Sequence, residues 1–115
     1  MDVVNLFVSI GVSDHAIGCD WWSTVLCRGP DRRSMPSCCE WDLTDRVPFQ
    51  VSDNPDQGAV DVVSLRLDDL DAGIARQREE GFFIDDPHKV PGFDTLRIAT
   101  IADPGGNTLN LLGGE

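Results

Sequence analysis

Chemistry has few places to start in this chain. His15 and His88 are the only imidazoles in 115 residues, and Cys19, Cys27, Cys38 and Cys39 the only thiols. A structural zinc site asks for Cys and His ligands at short fixed spacings, and neither a CxxC nor a Cys/His cluster of zinc-ligand form is present. Cys38 and Cys39 are adjacent, so in a strand their side chains leave opposite faces. The four cysteines therefore read as reduced, small apolar packing residues rather than as a disulfide framework. His15 reads as an exposed residue at a helix start; His88, in the loop 85–93, is held in reserve as an acid or base. Asp68, Asp69 and Asp71 do not follow the calcium-loop pattern and read as capping residues on a solvated face. Arg66 and Arg97 have the geometry to grip a carboxylate or phosphate, but read as surface arginines.

Twenty Asp and Glu against nine Lys and Arg leave a net charge of −11. That excess argues against binding a nucleic-acid backbone and against docking on an anionic membrane. With 41% apolar and 25% charged residues the mixture is that of a globular domain, and the length suits one. The opening Met-Asp-Val-Val-Asn has neither a basic n-region nor a long apolar run. The chain accordingly reads as cytoplasmic, without signal peptide or membrane span.

The elements that must position these residues come twice. Residues 3–12 alternate, with Leu6, Val8, Ile10 and Val12 on one face and Asn5, Phe7, Ser9 and Gly11 on the other, the period of a half-buried strand. After Ser13 or Asp14 as cap, Ile17, Trp21 and Val25, joined by Trp22 and Leu26, form a helical stripe. Residues 28–37 read as a loop with room for a short edge strand, and 38–43 with 47–51 as a hairpin around Thr44-Asp45-Arg46. Residues 52–58 are polar and turn-rich. The order then restarts: a strand over 60–67, a helix over 70–80 capped by Asp68 or Asp69 and closed by Gly81, and strands over 95–101 and 108–112 joined by the turn 103–107. Asp14 and Asp69 lie 55 residues apart. The expectation is an α+β fold of two tandem βαβββ modules forming a curved mixed sheet around a shared cleft. Module one spans about 1–53, a linker 54–58 and module two 59–115, in one domain.

Three segments carry a family resemblance. Val12-Ser13-Asp14 followed by Trp21-Trp22-Ser23-Thr24-Val25-Leu26 is the first. Leu67-Asp68-Asp69-Leu70-Asp71-Ala72 with Gly81 is the second, and Asp103-Pro104-Gly105-Gly106-Asn107-Thr108-Leu109-Asn110-Leu111 the third. In this order they resemble the vicinal oxygen chelate superfamily, the glyoxalase and bleomycin-resistance fold. Cys27 stands where that family usually has glycine after the first helix. In its metal-using members each module supplies one ligand from its first strand and one from its last. The matching positions here are Phe7, Gln50, Val62 and Asn110. Phe and Val have no lone pair to give, and two neutral amides hold a divalent transition metal poorly. The resemblance with these substitutions implies no metal and no cofactor in the cleft.

The side chains opposite the core faces would line the cup: Phe7, Ser9, Gln50, Val62, Ser64 and Asn110, with Thr108 beside them. The third strand adds one more. An even-numbered hairpin loop puts Trp41 on the face of Gln50, and an odd one puts Glu40 there. The site set takes Trp41, as an aromatic wall for a planar ligand, and leaves Glu40 as the alternative, a candidate general base. The expected function is a metal-independent small-molecule-binding protein of the bleomycin-resistance type, holding an aromatic or amphipathic compound. The alternative is a lyase, isomerase or dioxygenase of the same fold, with a relocated metal or with Glu40 or His88 as base. The resemblance also implies a homodimer.

Overall fold

Asp14 and Asp69 cap the two helices in the same way. Asp14 Oδ1 accepts the amide hydrogen of Ile17 at 3.1 Å, and Asp69 Oδ1 that of Ala72 at 3.0 Å, so each carboxylate satisfies a donor that a helix start leaves open. The structure, a computed structural model, describes residues 1–4, 6–54 and 60–115, with Ser34 by its backbone alone. Asn5 and most of the expected linker 54–58 lie outside the described residues. The chain forms two compact units, Met1–Asp61 and Val62–Glu115.

Unit 1 runs β1 (Val8–Val12), α1 (His15–Leu26), β2 (Arg32–Met35), β3 (Cys38–Asp42) and β4 (Pro48–Asp53). Its sheet has the order β1-β4-β3-β2, with β1 parallel to β4 and the other pairs antiparallel. Unit 2 repeats this with β5 (Val62–Arg66), α2 (Leu70–Glu79), β6 (His88–Lys89), β7 (Arg97–Ala102) and β8 (Thr108–Gly113), in the order β5-β8-β7-β6. The fold is α+β: two mixed four-stranded sheets and two helices in tandem βαβββ order.

Each core lies where a helix meets its sheet. In unit 1, Trp22 and Trp41 are wholly buried on either side of Phe49, with ring centroids 5.1 and 6.0 Å from it. In unit 2, Leu70, Ile74, Ile101, Leu109 and Leu111 are buried, an aliphatic core. Burial of such side chains stabilises each unit by roughly 1.5–3 kcal/mol apiece.

Two features differ from the periodic reading by more than a residue or two at an end. The first strand begins at Val8 rather than at residue 3, and Leu6 and Phe7 stand half exposed before it; the alternation runs on beyond the residues that pair with β4, the first of which is Val8 opposite Phe49. The loop 85–93 contains β6, so His88 sits in an edge strand opposite Ile98. Helix α1 ends on Cys27 at φ 66, a left-handed residue that is not glycine, whereas α2 closes through Gly81 at φ 95.

Candidate functional site

The face of each sheet turned away from its helix carries a row of polar side chains. In unit 1, Ser9, Gln50, Glu40 and Arg32 stand opposite one another across all four strands. Their bonds run inward to one carboxylate. Ser9 Oγ donates to Gln50 Oε1 at 2.5 Å, Gln50 Nε2 donates to Glu40 Oε1 at 2.8 Å, and Arg32 Nε lies 2.5 Å from Glu40 Oε2. Arg32 also grips Asp42, its NH1 2.9 Å from Oδ2 and its NH2 on Oδ1. Glu40 is 3% exposed, and a carboxylate so buried is tolerable only with a cation and donors around it.

Unit 2 has the matching row without charge. Thr100 Oγ1 donates to Asn110 Oδ1 at 2.9 Å, and Asn110 Nδ2 donates to Ser64 Oγ at 3.2 Å. Donation here runs from the centre of the sheet to its edge, opposite in sense to unit 1. Ser64 Oγ is thus an acceptor in its row, whereas Ser9 Oγ is a donor in its own.

The residues expected in the site divide accordingly. Ser9, Gln50, Ser64 and Asn110 stand in the two rows. Phe7 precedes β1 and Val62 opens β5, both more than half exposed. Trp41 is a correction: it pairs with Phe49 on the helix side, is fully buried, and donates from Nε1 to the Arg28 carbonyl at 3.0 Å. Asp42 pairs with Pro48, which leaves five residues between them and puts Glu40 beside Gln50. The sequence held this signal, because a turn centred on Asp45 pairs position 40 with position 50.

The donor set at Phe7, Gln50, Val62 and Asn110 does not fit a divalent transition metal. Two positions lack donor atoms, and both amides are already bonded within their rows. Arg97 is bidentate on Asp71, at 3.1 and 3.0 Å, and Arg66 lies 3.8 Å from Glu115; both act as surface arginines. Where the row reaches the β3–β4 hairpin, an open polar hollow of about 490 Å³ is lined by Arg32, Asp42, Pro48 and hairpin residues 43–46.

The helix side of unit 1 brings together residues that sequence reasoning kept apart. Cys19 and Cys39 are joined as a disulfide, not reduced, because α1 lays Cys19 over β3. His15, one turn before Cys19, is half-buried rather than exposed, with Nε2 3.2 Å from Cys19 Sγ and 3.2 Å from the Val51 carbonyl. The missed signal is the i, i+4 spacing of His15 and Cys19 on one helix face. Cys38, buried, and Cys27, exposed, lie outside the disulfide.

Solved structures resemble the whole chain. A glyoxalase/bleomycin resistance protein from Catenulispora acidiphila superposes with TM-score 0.84 at 20% identity, over 98% of this chain and 100% of that one. TnmS3, an antibiotic binding protein from Streptomyces sp. CB03234, gives 0.77 at 24% identity, over 100% and 99%. A bleomycin resistance determinant encoded on the transposon Tn5 gives 0.77 at 18% identity, over 100% and 99%. No family model matches the chain, and no curated protein does.

Proposed function

With the glyoxalase/bleomycin-resistance fold as the premise, we propose that this chain is a metal-independent small-molecule-binding protein of the bleomycin-resistance type. It holds an aromatic or amphipathic ligand against the polar faces of its sheets, through Phe7, Ser9, Gln50, Val62, Ser64 and Asn110, with Glu40 in place of Trp41. The observation that carries this reading is the pair of hydrogen-bonded rows. At two of the positions where the fold's metal-using members place ligands, Gln50 and Asn110 are tied to serines, a surface suited to hydrogen-bonding an organic guest. The antibiotic binding and bleomycin resistance proteins of like fold support the same reading. The acidic surface favours cationic compounds on encounter. The protein works in the cytoplasm as a homodimer.

The test is a calorimetric screen of cationic aromatic compounds. A hit is expected to bind in the micromolar range and to lose about tenfold in affinity, roughly 1.4 kcal/mol, in Gln50→Ala and in Asn110→Ala. Unchanged affinity in both variants overturns the reading. Light scattering on the eluted protein tests the dimer, and the mass of a single chain overturns that part.

One observation favours an enzymatic alternative: Glu40 is buried and faces the same side as Gln50, where a general base could work. Turnover abolished by Glu40→Gln with folding intact would carry it. Full activity in that variant would end it.

A further inference from the structure

His15 Nε2, Cys19 Sγ and Cys39 Sγ all lie within 4.8 Å of one another, the one such group of metal-ligating atoms among the described residues. The packing of the fold does not ask for them. Counted from the caps and along the paired strands, the corresponding residues of unit 2 are Leu70, Ile74 and Ala99, all buried and apolar. The same junction of helix and sheet is filled with hydrocarbon in one unit and with an imidazole and two sulfurs in the other. A second observation concerns charge. Arg33 NH1 lies 2.7 Å from Cys39 Sγ. A disulfide sulfur is a weak acceptor and gives a guanidinium little, whereas a thiolate accepts a strong, charge-assisted bond. The surroundings of Cys39 are better matched to a thiolate than to the bonded sulfur.

We propose that these three residues form a reduction-dependent site for a thiophilic divalent cation of the zinc type. A dithiol reductant passes two electrons and two protons to the Cys19–Cys39 bond, giving two thiols and the reductant's own disulfide. The cation then displaces both thiol protons to solvent and bonds to the two sulfurs. His15 Nε2, which faces the Val51 carbonyl in the disulfide form, gives up that bond and its hydrogen to solvent while Nδ1 takes up a proton, and the freed Nε2 lone pair supplies the third bond. Two thiolates and one imidazole are a ligand set that zinc accepts, with the fourth position left to water. Bound to zinc, the sulfurs would stand about 3.7 Å apart as tetrahedral geometry requires, within the reach of two cysteines whose Cα atoms are 6.5 Å apart. Arg33 remains as a hydrogen-bond donor to the metal-bound sulfur of Cys39, an outer partner of the kind that orients ligands. The site lies on the helix side of the sheet, away from the row of Ser9, Gln50, Glu40 and Arg32, so it stands or falls independently of ligand binding there.

The experiment uses the whole chain and zinc alone. Protein reduced with a non-chelating phosphine is loaded with Zn2+, desalted anaerobically and assayed for metal, beside protein kept oxidised. The expected result is one zinc per chain in the reduced protein and none in the oxidised one. Cys27→Ser is expected to retain the metal, and Cys19→Ser and His15→Ala to lose it. His15→Ala keeps the disulfide, so its folding is verified by circular dichroism in the oxidised form before reduction. Cobalt loading adds a direct readout, a thiolate-to-cobalt charge-transfer band that His15→Ala alters or abolishes. Less than one zinc per reduced chain overturns the proposal, as does a His15→Ala variant that holds zinc as the parent does.

Discussion

Counted from the caps, Trp22 of α1 and Gln77 of α2 occupy the same place, eight residues after Asp14 and Asp69. Both are buried, Trp22 completely and Gln77 to 7% exposure. The pairing continues along the strands, where Trp41 answers Ile101 and Phe49 answers Leu109. One backbone plan is thus filled with mutually tilted aromatic rings in unit 1 and with branched aliphatic chains and an amide in unit 2. The polar faces diverge likewise, since a buried carboxylate with its arginine in unit 1 corresponds to the neutral Thr100 in unit 2. Hydrogen-bond geometry and helix capping repeat because the backbone demands them. Volume and charge are free to differ as long as each sheet remains covered.

The largest test of that contrast removes the aromatic centre. Trp22→Ala is expected to destabilise the protein by about 3–5 kcal/mol, and Gln77→Ala by about 1 kcal/mol, compared by urea unfolding. Equal losses would mean that the two helices are held in the same way.

A finer test uses two glycines at matched positions. A Cβ on Gly18 would come 2.8 Å from Cγ2 and 3.0 Å from Cβ of Val12, a stiff side chain only 2% exposed. On Gly73 it would meet only Cδ1 of Leu67, at 2.6 Å, the movable end of a longer side chain. Gly18→Ala is therefore expected to cost about 1–3 kcal/mol. Gly73→Ala is expected to be neutral, or to stabilise by up to about 1 kcal/mol through helix propensity. Opposite signs in thermal unfolding would sharpen the contrast, and equal signs would break it.

The helix ends differ as well. Cys27→Gly, which gives α1 the ending that Gly81 gives α2, is expected to stabilise by about 0.5–1 kcal/mol, read as a raised urea midpoint. The smallest effect is electrostatic. Hydrogen bonding and charge from Arg97 hold the Asp71 carboxyl below its ordinary value of 3.8. The amide of Asp42, then Arg28, does the same for Asp31 in unit 1. A carboxyl depressed on folding contributes stability fully present above its unfolded value and lost as pH falls through the folded one. Both pairs are exposed, so the slope is slight; Asp71→Asn is expected to flatten the fall in unfolding midpoint below pH 3.8, and an unchanged slope would remove the pair from the account.

Much of this plan is legible in the residues. Caps, turn glycines and period-two alternation are local, and they marked both modules and both helices. Side-chain meetings across distant segments are not local. The joining of Cys19 to Cys39 depends on where α1 comes to rest on β3, which neither helical nor strand period encodes. The orientation of Glu40 was within reach, through the centring of one turn, and the expectation of an aromatic wall pointed the other way. Alternation alone extends β1 back to residue 3, since it reports which faces could be buried and not where pairing with β4 begins, at Val8.

The parallel pairing inside each unit sets the order in which the chain can assemble. Ser9 and Gln50 are separated by 41 residues, and Ser64 and Asn110 by 46, whereas the β3–β4 and β7–β8 hairpins close over short loops. Short loops close sooner and at lower entropic cost. On a ribosome, β1 emerges first and stays unpaired with β4 until β4 follows it out. Every strand of the first sheet lies within Met1–Asp61, so its pairing needs no strand of the second unit.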